Sequence, residues 1–274
     1  MSGFRVFQRH AVVAVLCVCL ASGCAKKTPE QAAPNSSTVA AVPSGESPAS
    51  GFATTRDSGA LSVDSTVAPI ECPLHKAGVD PQNLKPFKDT EDYVAFLERP
   101  DRATWQKPDD VVRALRLTGE EVVADVGAGS GYFTFRFAAA LPRGRVVATD
   151  IEPEMIRHIH HKAMAEGIRN VEPVLASADD PKIPAADIVF LCDVLHHVSD
   201  RKTWLHRLHD EMKAGARLVL VEFKEGDLPE GPPAALKIPR NGLVSLVQGS
   251  GFVLVGEEKD LLPYQVFLVF RKAG

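Results

Sequence analysis

The stretch that most constrains the fold is VVADVGAGSGYFTF, at residues 122–135. An apolar run containing Asp125 is followed by three glycines that alternate with small residues, and then by an aromatic segment. Glycine allows left-handed backbone and lets the chain pass close to a ligand. A glycine-rich turn between an apolar strand and a helix is typical of α/β proteins that bind a nucleotide-like ligand. The stretch therefore predicts the first strand–turn–helix unit of an α/β sheet.

The chain beyond residue 89 alternates short apolar runs with amphipathic segments. We expect strands at residues 121–126, 145–150, 171–175, 187–192, 217–223, 253–255 and 265–270. We expect helices at residues 89–98, 109–117, 133–141, 153–167, 202–212 and 242–248. Strands that alternate with helices favour a mainly parallel sheet with helices on both faces. The predicted fold class is therefore α/β, Rossmann-like, with a seven-stranded sheet.

The spacing of Gly127, Gly129 and Gly131 narrows the choice of ligand. The dinucleotide fingerprint GxGxxG needs a glycine where Tyr132 stands, and the lysine of a phosphate-binding loop is missing. The pattern D-x-G-x-G-x-G instead resembles the first motif of class I S-adenosylmethionine-dependent methyltransferases. An acidic residue at the end of the second predicted strand, Asp150, and the sequence DVLHH at residues 193–197 fit the same family. Residues 175–198 are similar to the corresponding stretch of methyltransferases that act on quinones.

This resemblance implies S-adenosylmethionine as the cofactor, a methyl acceptor as the substrate, and an antiparallel hairpin at the end of the sheet. Asp150 would accept hydrogen bonds from the ribose hydroxyls, as acids at this position do in related dinucleotide folds, and Ile151 would pack on adenine. Asp125 would orient the glycine loop or receive the amino group of the cofactor. The residue beside adenine is Ser177 by strict register, with Asp179 or Asp180 as alternatives. The predicted cofactor-binding residues are Asp125, Gly127, Ala128, Gly129, Gly131, Asp150, Ile151, Ser177, Ala178, Asp179 and Asp193.

Catalysis of methyl transfer depends chiefly on proximity and orientation, because a sulfonium is already activated. Where the acceptor must lose a proton, the candidate bases are His196, His197 and Asp193. Adjacent residues rarely face the same pocket, so we expect at most one of the two histidines to contact the acceptor. Cys192 is expected to be a buried apolar thiol rather than a nucleophile.

Two flanking segments are candidates for covering the site. Trp105, Gln106 and Lys107 lie in a predicted loop before the first strand, where they either cover the cofactor pocket or anchor the lead-in to the core. Residues 222–240 are rich in proline and glycine and follow the fifth predicted strand. Their position at the carboxyl edge of the sheet predicts a lid over the acceptor.

The first seventy residues predict a targeting segment and a tether rather than a folded domain. Arg5 and Arg9 precede a ten-residue apolar run at residues 11–20, which is too short to span a bilayer. Small residues then lead to Cys24, which resembles the lipobox of bacterial lipoproteins. We expect a signal peptide at residues 1–23, lipid attachment at Cys24, a disordered tether at 24–70 and the methyltransferase domain at 71–274. The expected location is the outer side of a membrane, or the cytoplasm if the signal is spurious.

The remaining patterns are weaker. A net charge of −4 without a dense Lys/Arg stripe gives no reason to expect a nucleic-acid partner. Cys72 and His75 have a spacing that suits a metal, but no second pair supports it, and no metal site is predicted. Two other functions stay open at this point. One is a non-catalytic exported protein that uses the fold to bind a ligand, and the other is an NAD-dependent oxidoreductase.

Overall fold

A computed structural model describes residues 72–80, 84 and 87–273. The predicted signal peptide, Cys24 and the predicted tether lie outside the described residues. The expectations for these segments therefore stay predictions.

One seven-stranded sheet organises the described residues. Its strands are β1 (Val122–Val126), β2 (Arg145–Asp150), β3 (Val171–Leu175), β4 (Ile188–Cys192), β5 (Arg217–Phe223), β6 (Phe252–Glu257) and β7 (Gln265–Lys272). Their order across the sheet is β3-β2-β1-β4-β5-β7-β6. The first five strands pair in parallel, and β7 runs antiparallel to both β5 and β6. The predicted fold class, including the antiparallel final strand, is confirmed.

The helices agree with the prediction in the core and differ from it in the lead-in. They are α1 (Pro73–Lys76), α2 (Phe87–Leu97), α3 (Arg102–Gln106), α4 (Pro108–Ala114), α5 (Thr134–Ala140), α6 (Pro153–Ala165), α7 (Arg201–Glu211) and α8 (Arg240–Gln248). The loop predicted at Trp105 and Gln106 is wrong, because both residues belong to α3. The helix predicted at residues 109–117 begins one residue earlier, because Pro108 is the first residue of α4, where its missing N–H costs no hydrogen bond. A helix of five residues is too short to show a periodicity in the sequence.

Each strand at the centre of the sheet supplies core on both faces. In β4, Val189 and Leu191 pack in the cluster that includes α7 and α8. Ile188 and Phe190 pack in the cluster that includes α4 and α5. This alternation is the two-residue period of a strand, and it confirms that helices cover both faces.

The carboxyl ends of β1 and β4 form the natural ligand crevice. The strand order reverses at β1, because β2 and β3 lie on one side of it and β4 and β5 on the other. Ligands of open α/β sheets bind at such a reversal, beyond the carboxyl ends of the strands.

Across residues 72–80, 84 and 87–273, the helices lack the combined length and apolar character that crossing a bilayer requires.

Candidate active site

The glycine loop connects β1 to α5 through three residues with left-handed backbone. Gly127, Gly129 and Gly131 have φ of 69°, 56° and 81°. A Cβ on Gly127 would lie 2.6 Å from Val194 Cγ2, and one on Gly131 would lie 2.6 Å from Phe135 Cε2. Both contacts are far inside van der Waals distance. Glycine is therefore required at these two positions by the backbone and by the packing of the protein itself.

Asp125 lies at the base of this loop, near the end of β1. Its side chain is buried and accepts a hydrogen bond from Thr134 Oγ1 at 2.5 Å. Burial raises the pKa of Asp125 to about 7, against the hydrogen bond from Thr134, which lowers it. The contact with Thr134 ties β1 to the first residue of α5. This is the loop-orienting role that the sequence allowed, and contact with the cofactor amino group stays a prediction.

Asp150 ends β2 directly beside the glycine loop. Its carboxylate accepts hydrogen bonds from the backbone N–H of Gly129 at 2.8 Å and of Glu152 at 2.9 Å. Burial raises its pKa, while these two hydrogen bonds act in the opposite direction. Each carboxylate oxygen has a second lone pair, so the group can still accept from a ribose diol. The neighbouring Ile151 is 53% exposed, as a residue that packs on a ligand ring requires.

The predicted adenine segment lies next to Asp150. The N–H of Ala176 donates to the carbonyl oxygen of Asp150 at 2.8 Å. Beyond it, Ser177 and Asp180 exchange two backbone hydrogen bonds, and Ser177 Oγ donates to Asp179 at 2.8 Å. Residues 177–179 are exposed. The structure thus brings this segment to the ribose-binding candidate, and which side chain contacts adenine stays a prediction.

Asp193 follows β4 and is held by two glutamine side chains. The sequence allowed Gln106 as a cover for the cofactor pocket, but no sequence pattern indicated Gln265. Gln265 Nε2 donates to both carboxylate oxygens of Asp193 at 2.8 Å, and Gln106 Nε2 donates to one at 3.2 Å. Asp193 has φ of 61°, a left-handed conformation that costs a non-glycine residue about 1–2 kcal/mol. Burial, followed by the charge of Glu222, raises its pKa to about 6. A strained, amide-bound carboxyl group thus occupies the crevice between β1 and β4.

His196 forms a buried pair with Glu222, another residue that the sequence did not reveal. His196 Nδ1 lies 2.9 Å from Glu222 Oε2, and the side chains are 5% and 3% exposed. Glu222 Oε1 also accepts the N–H of Leu195 at 2.6 Å. Burial lowers the pKa of His196, but the hydrogen bond and charge of Glu222 outweigh it, so the pKa is raised. Glu222 therefore fixes the orientation of the imidazole and increases its basicity.

The other candidate groups differ clearly from this pair. His197 is more exposed than His196, and its partial burial, together with the charge of His196, lowers its pKa. Contact of either histidine with an acceptor stays a prediction. Burial raises the pKa of Cys192 well above its usual range, which agrees with an inert thiol. No group of three or more side chains suited to metal binding is found among the residues that the structure describes.

An aromatic cluster lies beside these polar groups, and we call its members Trp105, Phe223 and Tyr264 the aromatic wall. The ring of Trp105 lies 5.7 Å from Phe223 and 6.3 Å from Tyr264, between centroids. Each ring directly precedes or follows a polar residue of the site in the sequence: Gln106, Glu222 or Gln265. The wall therefore follows the same edge of the sheet. Trp105 is buried, so it anchors the lead-in to the core.

Two segments outside the sheet reach over the site. Leu97, the last residue of α2, lies over the loop, since its Cδ1 would be 3.4 Å from a Cβ on Gly129. On the acceptor side, a Cβ on Gly231 would lie 2.5 Å from Phe223, and Arg99 forms an ion pair with Glu230. The lead-in and the segment after β5 thus contact each other at the carboxyl edge. This placement agrees with the predicted lid, whose action on an acceptor stays a prediction.

A sequence comparison relates the part of the chain that carries this site to a known family. Residues 124–218 match the family described as "Methyltransferase domain". The matched range runs from within β1 into β5, and so contains the glycine loop, Asp150, Asp193 and His196. This part of the chain is thus similar to a methyltransferase domain, and it lies on the Rossmann-like α/β sheet described above.

Relatives and solved structures agree on the domain but not on a substrate. A tRNA U34 carboxymethyltransferase of Ruthia magnifica is 37% identical over 105 residues, which are 37% of this chain and 32% of that protein. A ubiquinone/menaquinone biosynthesis C-methyltransferase of Syntrophotalea carbinolica is 30% identical over 43% of this chain and 50% of that protein. The chain thus spans half or less of these two relatives. Both names describe transfer of a methyl or carboxymethyl group, but they do not name the same acceptor.

The solved structures extend the comparison to the fold. A SAM-dependent methyltransferase from Aquifex aeolicus has a TM-score of 0.61 at 21% identity, covering 68% of this chain and 98% of that one. Human N-acetylserotonin methyltransferase in complex with SAM has a TM-score of 0.56 at 18% identity, covering 73% and 62%. At these identities the likeness establishes the fold alone. The predicted cofactor, S-adenosylmethionine, is bound to the human protein in that complex.

Proposed function

We propose that this protein is an S-adenosylmethionine-dependent methyltransferase that modifies a small acceptor at an atom that must lose a proton. The observation that carries the proposal is the buried His196–Glu222 pair, at the same sheet edge as the glycine loop. Binding of the cofactor alone would not require such a pair. A basic imidazole held by a carboxylate is the arrangement that proton removal requires.

The chemistry of the cofactor fits the residues present. Its ribose needs paired acceptors, which the buried carboxylate of Asp150 offers through its remaining lone pairs. Its methionine end carries an ammonium group, which suits the carboxyl groups of Asp125 and Asp193. It has no phosphate, which agrees with a loop that contains no phosphate-binding lysine. The residues therefore fit S-adenosylmethionine better than a dinucleotide or a triphosphate.

The protein's own part in the reaction is to orient the acceptor and take its proton. When bound, S-adenosylmethionine supplies a methyl group whose bond to sulfur breaks, with the electron pair remaining on sulfur as a new bond forms to the acceptor. Glu222 accepts from Nδ1 of His196, so Nε2 has the lone pair that takes the acceptor proton. The carboxylate then stabilises the imidazolium that results. Asp193, beside this pair, positions the acceptor or the ammonium end of the cofactor.

The surroundings favour a small acceptor with an apolar part. The aromatic wall borders the polar groups, and its partly exposed member, Tyr264, offers a ring on which a flat apolar molecule can pack. The net charge of −4 provides no overall attraction to a polyanion, which argues for a small molecule over tRNA. A quinone-like acceptor is one member of this class.

Cofactor binding is the first test. Calorimetry with S-adenosylhomocysteine should show binding to the purified protein, and Asp150→Ala should weaken it by about ten- to hundredfold, since charge-assisted hydrogen bonds are lost. The control variant Asp260→Ala replaces an exposed acidic residue that is distant from Asp150 in the sequence. It should leave the affinity for S-adenosylhomocysteine unchanged. Absence of binding in the wild type would refute the proposal, and binding of NAD in its place would support an oxidoreductase.

Methyl transfer is the second test, and it separates an enzyme from a binding protein. The purified protein is incubated with methyl-labelled S-adenosylmethionine and a host extract, and labelled products are identified. His196→Ala should abolish labelling while affinity for S-adenosylhomocysteine is retained, whereas His197→Ala should keep most of the labelling. Tight cofactor binding with no labelled product would favour the non-catalytic alternative.

We also propose that the protein is exported and attached to a membrane through lipid at Cys24. The basic start, the apolar run and the small residues before Cys24 support this. Metabolic labelling with a palmitate analogue should mark the wild type, and Cys24→Ala should lose the label. Cys19→Ala, in the same segment, is the matched control and should keep it. An unlabelled wild type, with the protein in the cytoplasm, would show that the signal is spurious.

A further inference from the structure

Two arginines lie against the ring of Tyr132, the residue that follows the glycine loop. The guanidinium carbon of Arg102 lies 4.1 Å from the ring centroid, and that of Arg136 lies 4.0 Å from it. Arg136 donates to the carbonyl oxygen of Tyr132 and lies 3.9 Å from the exposed Asp109. The exposed carboxylate of Asp109 thus balances the charge of Arg136 on its solvent side. The two arginines share one aromatic ring but have different surroundings.

Arg102 belongs to α3 and extends toward the crevice. Its Nη1 donates to the carbonyl oxygen of Leu97 at 2.5 Å, and its Nε donates to Oε1 of Gln106. The amide nitrogen of the same Gln106 donates to Asp193 at 3.2 Å. Arg102 is therefore fixed between the glycine loop on one side and the carboxyl end of β4 on the other.

The charge of Arg102 is not neutralised by a direct ion pair. Its two hydrogen-bond acceptors are neutral oxygens, and within the described part of the chain no carboxylate lies within 4.0 Å of it. Arg102 interacts electrostatically with Asp125 and Asp193. Burial raises the pKa of each carboxyl group, and the positive charge of Arg102 partly opposes both shifts. A half-buried guanidinium of this kind is suited to bind an incoming anion.

The methionine end of S-adenosylmethionine carries both an ammonium and a carboxylate group. Asp125 and Asp193 suit the ammonium, and the carboxylate needs a cation on the same edge of the sheet. We propose that Arg102 binds the carboxylate of the methionine end of the cofactor, between Tyr132 and Gln106. This inference rests on the proposed function, and it makes α3 part of the cofactor site. It gives a reason for the position of Arg102 on the ring of Tyr132, the residue after the glycine loop.

The guanidinium suits this task better than a flexible ammonium would. Its planar donors can form two parallel hydrogen bonds to a carboxylate, and stacking on Tyr132 restricts its rotamers before the ligand binds. The bond from Gln106 fixes the plane further. Selectivity for a ligand that carries the carboxylate is the expected result.

The experiment compares two ligands that differ only in that group. Calorimetry measures binding of S-adenosylhomocysteine and of its decarboxylated analogue to the purified full chain. The wild type should bind the parent ligand about ten- to hundredfold more tightly than the analogue. Arg102→Gln should weaken binding of the parent ligand by the same factor and leave the analogue unchanged. Arg136→Gln, which removes the other cation from the same ring, should change neither affinity.

The outcomes separate this inference from the function on which it rests. An equal loss of both ligands in Arg102→Gln, or equal affinity of the wild type for both, would overturn the role of Arg102 while leaving a cofactor site in place. Absence of any binding to the wild type would overturn the proposed function itself. Should Arg102→Gln fail to fold by circular dichroism, Arg102→Lys keeps the charge and loses the planar fork. It should show a smaller loss that is still confined to the carboxylate-bearing ligand.

Discussion

Substituting Asp125 by asparagine should make the protein's stability less dependent on pH. Asp125 is 3% exposed, and burial raises its pKa from 3.8 to about 7. A carboxyl group with a raised pKa stabilises the fold fully below the unfolded pKa, and that contribution is lost as pH rises through the folded value. The wild type should therefore lose stability between pH 5 and pH 8 at this residue, and Asp125→Asn should not.

The magnitude follows from the two pKa values. Between pH 5 and pH 8 the ionisation of Asp125 stabilises the unfolded state by about 4 kcal/mol and the folded state by about 1 to 2 kcal/mol. The wild type thus loses about 2 to 3 kcal/mol of unfolding free energy relative to Asp125→Asn over this range. The new amide must satisfy its N–H groups in a buried place, but this cost does not depend on pH. The change between the two pH values isolates the titration.

The assay is urea unfolding of both proteins at pH 5 and pH 8, followed by circular dichroism. Asp260→Asn, at an exposed position, should differ from the wild type by the same amount at both pH values. If the difference between Asp125→Asn and the wild type is equal at pH 5 and pH 8, the buried carboxyl group is not protonated as argued. A difference that favours the wild type at higher pH would reverse the sign and refute the reasoning altogether.

Two further predictions concern the reaction and the glycine loop. Because Glu222 raises the pKa of His196, a neutral base is lost as pH falls through that raised value, and the methylation rate falls with it. Glu222→Gln should move this acid limb of the pH–rate profile to lower pH, and an unmoved limb would argue against the pair. Gly127→Ala and Gly167→Ala share a left-handed φ, 69° and 66°, but only the former meets Val194. In urea unfolding Gly127→Ala should cost about 1–3 kcal/mol more than Gly167→Ala, and equal costs would show that the loop can yield.

Local sequence patterns predicted the sheet and one half of the site. The strands at Arg145–Asp150, Val171–Leu175 and Arg217–Phe223 begin and end where the apolar runs begin and end. The glycine loop and Asp150 were predictable because both are fixed by short-range geometry: a turn after one strand and the end of the next. The lipid anchor and tether, outside the described residues, stay predictions.

The other half of the site depends on contacts that no local pattern shows. Gln106 and Gln265 lie 87 and 72 residues from Asp193 in the sequence, and both are polar residues in segments without a recognisable motif. Glu222 interrupts an apolar strand, which was the one available signal, since a buried carboxylate needs a partner. Arg102 lies in a helix too short to show a period. Such residues are found only once the topology brings the strand ends together.

The reversed direction of β7 has a consequence for how the molecule is made. Gln265 is the first residue of β7, opposite Phe223 at the end of β5, so an antiparallel strand brings its own beginning to the active edge. During synthesis, 72 more residues must therefore be added after Asp193 before its amide partner Gln265 is present. A nascent chain can form the cofactor loop early, yet its strained carboxyl group stays without that partner until the hairpin closes. Completion of the catalytic edge is thus a late and non-local event, coupled to the arrival of β7 rather than to the folding of the cofactor half.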